Sequence, residues 1–217
     1  MIFMQDLKNL ASLEGFVKEG DKCIGGFSRL YKQIKNLLNQ RPDSILLNAG
    51  DSFQGTLWYT VGKWNVTQEF LNKLPFDATV LGNHEFEDKI EGLIPFVKAL
   101  NNPVVVSNMD DSLEPSIQGL CTKSTVIERN GKKIGIIGVL VSTVDKLADI
   151  GKLKFYPESP SINAEAERLV KEEGVFTNIV LSHSGYNVDQ AIAANASEKI
   201  SLIVGGHTHT FLYTGGK

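Results

Sequence analysis

Cysteine is nearly absent: Cys23 and Cys121 are the only two in 217 residues and stand almost a hundred positions apart. That spacing excludes a CxxC metal knuckle and a dense disulfide framework, and both thiols read as buried and free. Basic residues are scattered without a block, and a formal net charge of −3 leaves no footprint for a nucleic-acid polymer. No apolar run approaches the roughly 18 residues needed to span a bilayer. The amino terminus, MIFMQDLKNLASLEGF, is broken by Gln5 and Asp6 and has no basic flank before a long apolar stretch, so no signal peptide is read there. Proline-rich linkers, low-complexity tracts and internal repeats are missing as well. The Asn65 and Asn195 sequons would matter only in a secreted protein. Histidine is scarce too, with four residues in the whole chain.

What remains is ordinary globular material, 42% hydrophobic and 22% charged, of a length that fits one domain. Short apolar runs ending in small polar residues alternate with amphipathic stretches, the pattern of βα units in an α/β fold. Residues 44–50, 78–83, 102–108, 177–185 and 200–207 read as strands. Helices are predicted over 25–40, 67–74, 89–101, 161–174 and 187–196. In the first of these Phe27, Leu30, Ile34, Leu37 and Leu38 recur at three- and four-residue spacing, so that face should lie on a sheet. Within 124–140, Asn130-Gly131 separates two strand-like runs and accepts the positive backbone angles of a tight hairpin turn. The sheet arrangement should therefore be mixed. Trp58, Tyr59 and Trp64 read as packing, or as a surface for a further domain.

All four histidines fall at or just past the end of a strand-like run: His84 in VLGNHEFE, His183 in VLSHSG, and His207 and His209 in VGGHTH. Ligands of open α/β sheets collect at the carboxyl ends of the strands, so the whole histidine complement points to one place. Asp51 in NAGD and Asn83 in LGN join it by the same logic. Imidazole, carboxylate and amide together make a donor set for borderline divalent ions. Gly50, Gly82, Gly205 and Gly206 let the backbone turn sharply beside them. A structural zinc site would be closed by cysteines, which here are remote from the histidine motifs.

The ordered stretches CIGGFSRL, LNAGDSFQGTLW, LPFDATVLGNHEFE, VSNMD, GKKIGIIGV, IVLSHSG and VGGHTHTFLYTG resemble the calcineurin-like metallophosphoesterases, and in detail their 5′-nucleotidase and apyrase branch. The resemblance implies an αββα sandwich with mixed sheets, truncated here at its amino-terminal strand. It also implies two divalent ions, zinc, manganese or similar, that clamp the phosphate and the attacking water. Asp51 would bridge them; Asn83, His183 and His207 would complete one ion's set, and His209 would reach the other. His84 would stabilise the phosphoryl oxygens or protonate the leaving ribose oxygen, with Asn83 also touching substrate. A carboxylate would orient His84, and Glu87 stands where the family usually has aspartate, with Asp88 next to it. The longer glutamate arm is expected to change the aim. The resemblance implies phosphate hydrolysis from AMP, ADP or ATP by a metal-bound hydroxide.

Two departures temper that expectation. The family's first motif, D-x-H, has no histidine here: Asp6 follows an apolar trio, but Lys8 occupies the histidine position, so the second ion's site is expected to be incomplete. By the same resemblance, 1–22 is an atypical amino-terminal segment, 23–217 a partial catalytic domain, and the carboxyl-terminal nucleotide-binding domain is absent. The implied parent is extracellular or membrane-anchored, and Cys23 would be disulfide-bonded in it. The alternative is an impaired remnant that binds at most one metal and serves as an interaction module.

Overall fold

The computed structural model describes residues 2–4, 26–54 and 57–210. Two sheets form its centre. The first is parallel and three-stranded: β1 (Ile2–Met4) pairs with β2 (Leu46–Asn48), which pairs with β3 (Ala78–Thr79). β1 runs in register from Ile2 with Leu46 through Met4 with Asn48. Asp6, Lys8 and Cys23 lie outside the described residues.

The second sheet runs β5 (Ser124–Arg129), β6 (Lys132–Leu140), β8 (Thr177–His183) and β9 (Ile200–Gly205). The β5–β6 pair is antiparallel around Asn130 (φ 52°) and Gly131 (φ 69°), the hairpin read from the sequence; β6, β8 and β9 are parallel. A two-residue antiparallel pair, β4 (Met109–Asp110) with β7 (Lys154–Phe155), stands apart.

Alternation along the central strands makes the layers. Ile136 and Leu140 of β6 and Ile179 and Leu181 of β8 join the large core shared with the first sheet. Ile137, Val139 and Val180 point the other way, onto Ile162 and Ala166 of α4 (Glu158–Arg168) and Ile192 of α5 (Tyr186–Ala194). With period 2, neighbouring residues must face opposite sides, so a continuously apolar strand requires cover on both. The large core also takes in α1 (Phe27–Gln40), α2 (Leu57–Leu71) and α3 (Lys89–Ala99), which completes an αββα sandwich. On α1, Phe27 and Ile34 are buried, with Leu30 and Leu38 packed beside them.

Three expectations shift. Residues 102–108 form no strand of their own, only single bridges from Val104 to Thr79 and from Val105 to Thr122. The helix predicted over 67–74 starts earlier, at Leu57, and crosses a kink at Lys63 (φ 50°) that hydrophobic spacing cannot register. The helix predicted over 161–174 divides into α4 and a π-helical turn, Leu169–Glu173, closed by left-handed Gly174. Of the aromatic trio, Tyr59 is buried and Trp64 packs on the core, while Trp58 stays half exposed. No helix among the described residues is long and apolar enough to cross a membrane.

Cys121 is a free thiol packed against the large core. Burial, helped by the charge of Asp111, pushes its pKa up to about 12. Because the thiolate is the reactive form, a Cys23→Ser variant should label with a thiol reagent at pH 8 about a thousandfold more slowly when folded than in denaturant. Equal rates in the two states would contradict the burial.

Candidate metal and phosphoester site

The carboxyl ends of β2, β3, β8 and β9 meet at one edge of the sandwich. Asp51 leaves β2 through Ala49 and Gly50, and its backbone is left-handed at φ 58°. Asn83 and His84 follow β3, His183 ends β8, and His207 lies two residues past β9. Phe53, two residues beyond Asp51, anchors this loop in the core, where its ring meets Phe96 at 4.8 Å. A phenylalanine so buried is worth about 3–5 kcal/mol against alanine, so the loop is firmly seated.

Ligand-type atoms of Asp51, His183 and His207 all lie within 4.8 Å of one another. The His183 and His207 rings are 5.1 Å apart, edge to face. His183 is completely buried, and its Nδ1–H donates to the Ala49 carbonyl at 2.6 Å, which turns Nε2 toward Asp51. That Nε2 sits 3.2 Å from Asp51 Oδ2 but outside hydrogen-bond geometry, and Asn83 Oδ1 is likewise buried without a hydrogen-bond partner. Buried acceptors are costly to leave unsatisfied. The Asp51 carboxylate and the two imidazoles gathered in this way fit a divalent cation, and the unpartnered Asn83 Oδ1 is an oxygen donor suited to one; the carbonyl-bound Nδ1 holds the His183 ring as ligating histidines require. Gly82 is needed for the approach: a Cβ there would meet Asp51 Oδ1 and lie 2.8 Å from His183 Cε1.

His209 is exposed and outside this close group. Strand-like alternation does not continue past Gly205, since His207 (φ 83°) and His209 (φ 51°) both turn left-handed. His207 therefore swings into the group through a turn. His84 contributes its backbone N–H to Asp51 Oδ1 at 3.0 Å, while its ring Nδ1 lies 2.7 Å from Glu87 Oε1. Asp88 is already engaged by the Tyr59 hydroxyl at 2.7 Å and Lys63 Nζ at 2.9 Å. Glu87 is thus the carboxylate that reaches the imidazole, and its longer arm closes the distance.

Residues 7–211 match the model for calcineurin-like phosphoesterase. The chain belongs to this family. An apyrase of Tabanus yao is 51% identical over 203 residues, covering 94% of this chain and 37% of that protein. A 5′-nucleotidase-related protein of Glossina morsitans morsitans is 46% identical over 204 residues, covering 91% of this chain and 37% of that protein. The crystal structure of a 5′-nucleotidase precursor from Thermus thermophilus superposes with a TM-score of 0.84 at 32% identity, covering 88% of this chain and 38% of that one. The chain spans little more than a third of the length of these relatives.

In this calcineurin-like phosphoesterase the charges of the site act on one another. Burial alone would raise Asp51, but the His183 imidazole and the His84 N–H outweigh it and hold its pKa at about 2. For His183 burial opposes the charged ring, and Asp51 more than reverses this, leaving its pKa raised. His207 goes down, through burial first and then the neighbouring charge of His183. Two acidic residues of the site were not assigned a role from the sequence. Asp189, raised by burial, accepts the Ser182 hydroxyl at 2.6 Å, next to His183. Glu85, raised by burial and by the charge of Asp51, is fully buried beside His84. The signal for Glu85 was its place in GNHE, directly after Asn83 and His84.

Proposed function

We propose that this calcineurin-like phosphoesterase hydrolyses phosphate from nucleotides, with AMP, ADP or ATP as substrate. The observation that carries the reading is the convergence of Asp51, His183 and His207 beside a formed His84–Glu87 pair, with an unpartnered Asn83 Oδ1 in the turn after β3. The names of the apyrase and 5′-nucleotidase-related relatives support the substrate class. Asp51, Asn83, His183 and His207 would hold a divalent ion, and His209 would be available to a second. Such ions supply Lewis acidity toward phosphoryl oxygens and make water a better nucleophile at neutral pH.

The chain's own groups do the rest. As a water oxygen bonds to phosphorus and gives up a proton to solvent, the P–O bond to the leaving group breaks and the leaving oxygen takes a proton from His84, which solvent then returns. Glu87, held at Nδ1, orients the ring so that Nε2 carries that proton and stabilises the imidazolium meanwhile. Asn83 would contact both ion and phosphate.

The test is phosphate release from AMP, ADP and ATP by the purified chain with manganese or zinc, before and after chelation. Turnover that chelation abolishes is the expected result, and the preferred nucleotide separates a monophosphatase from an apyrase. A folded, metal-loaded chain that releases no phosphate from any of the three would overturn the reading. Metal content after dialysis distinguishes two ions per chain from one.

A further inference from the structure

Asp51 has a left-handed backbone, a conformation that costs a residue with a Cβ on the order of 1 kcal/mol or more. Something must hold it there. The peptide N–H groups of Asp51 and Gly82 both donate to Glu85 Oε2, the former at 2.8 Å, and the Ser52 N–H donates to Glu85 Oε1. One side chain thus ties the turn after β2, which bears Asp51, to the turn after β3, which bears Asn83. Both of its oxygens are occupied by main chain, and it is not among the residues whose donor atoms cluster with His183 and His207. A carboxyl group buried to 1% exposure is expensive, and hydrophobic packing would serve the fold better at that depth.

We propose that Glu85 is a positioning residue of the metal centre, setting the spacing between Asp51 and Asn83 by bonding the backbones on which they stand. This inference rests on the metal-site reading above. Glutamine has nearly the same shape but presents an NH2 group where one oxygen now accepts, so donor would face donor at Ser52 or at the Asp51 and Gly82 pair. Aspartate keeps the acid but is one methylene shorter and can hold fewer of the three N–H groups.

The experiment is titration calorimetry of Mn2+ into the full chain, as wild type, Glu85→Gln and Glu85→Asp, with thermal melting of each metal-free protein. We expect both variants to stay folded and to bind the ion about 10- to 100-fold more weakly, glutamine being the worse, as for groups that orient ligands without touching the metal. Saturating Mn2+ should then restore much of the lost turnover. Unchanged affinity in folded Glu85→Gln would overturn the proposal, and so would loss of folding in both variants, which would make Glu85 a residue of the fold alone. If the wild type itself takes up no ion, the metal-site reading has failed, an outcome distinct from these.

Discussion

Asp51→Asn should leave the chain folded, strip it of bound divalent ions and lower phosphate release by about three orders of magnitude or more, since binding and chemistry are lost together. Asparagine tolerates positive φ better than most residues, so the turn at φ 58° survives the exchange. Its amide keeps an oxygen to accept the His84 N–H. What disappears is the negative charge between His183 and the neighbouring positions, the largest attraction available to a cation there. Metal per chain after dialysis, read by elemental analysis beside a melting curve, checks this. Retention of the wild-type number of ions in the folded variant would remove Asp51 from the centre.

His84→Ala is expected to separate chemistry from binding. The contact that His84 makes with Asp51 comes from its backbone N–H, which alanine retains, so the Asp51 carboxylate keeps its orientation. The imidazole and its bond to Glu87 are lost. General-acid catalysis is typically worth about 10²- to 10⁴-fold, and kcat should fall in that range with metal content unchanged. Glu87→Gln should fall between the wild type and His84→Ala, because the ring remains but its orienting charge does not. A metal-depleted His84→Ala protein would show that the ring, not the main chain, supports the ions.

The sandwich was legible because its strands are apolar on both faces and end in Gly, Asn, Ser or His, as in SILLNAG and TNIVLSHSG, and because Asn130-Gly131 states its turn chemistry locally. The histidines were legible for a related reason: each interrupts such a run at its exit. The two-residue β4–β7 pair was not, since two residues display no period and their partners are more than forty positions apart. Nor was the kink at Lys63, a left-handed backbone at one residue that hydrophobic spacing does not announce. Glu85 escaped for the deepest reason: its partners are peptide N–H groups, which carry no sequence identity. The choice between Glu87 and Asp88 was undecidable until Tyr59 and Lys63 were seen to engage Asp88.

Strand β8 is gripped on both edges by β6 and β9 and covered on both faces by separate apolar clusters, and His183 is its last residue. That imidazole therefore loses almost no freedom when an ion arrives; the ordering entropy has already been spent in folding. His207, half-exposed on a turn, has far more to lose. Cation capture on such a scaffold should be asymmetric in time, beginning at a fixed point and recruiting the looser donor afterwards. Affinity would then be limited by how readily the turn after β9 settles, and changes well away from the ion could tune it without altering a single coordinating atom.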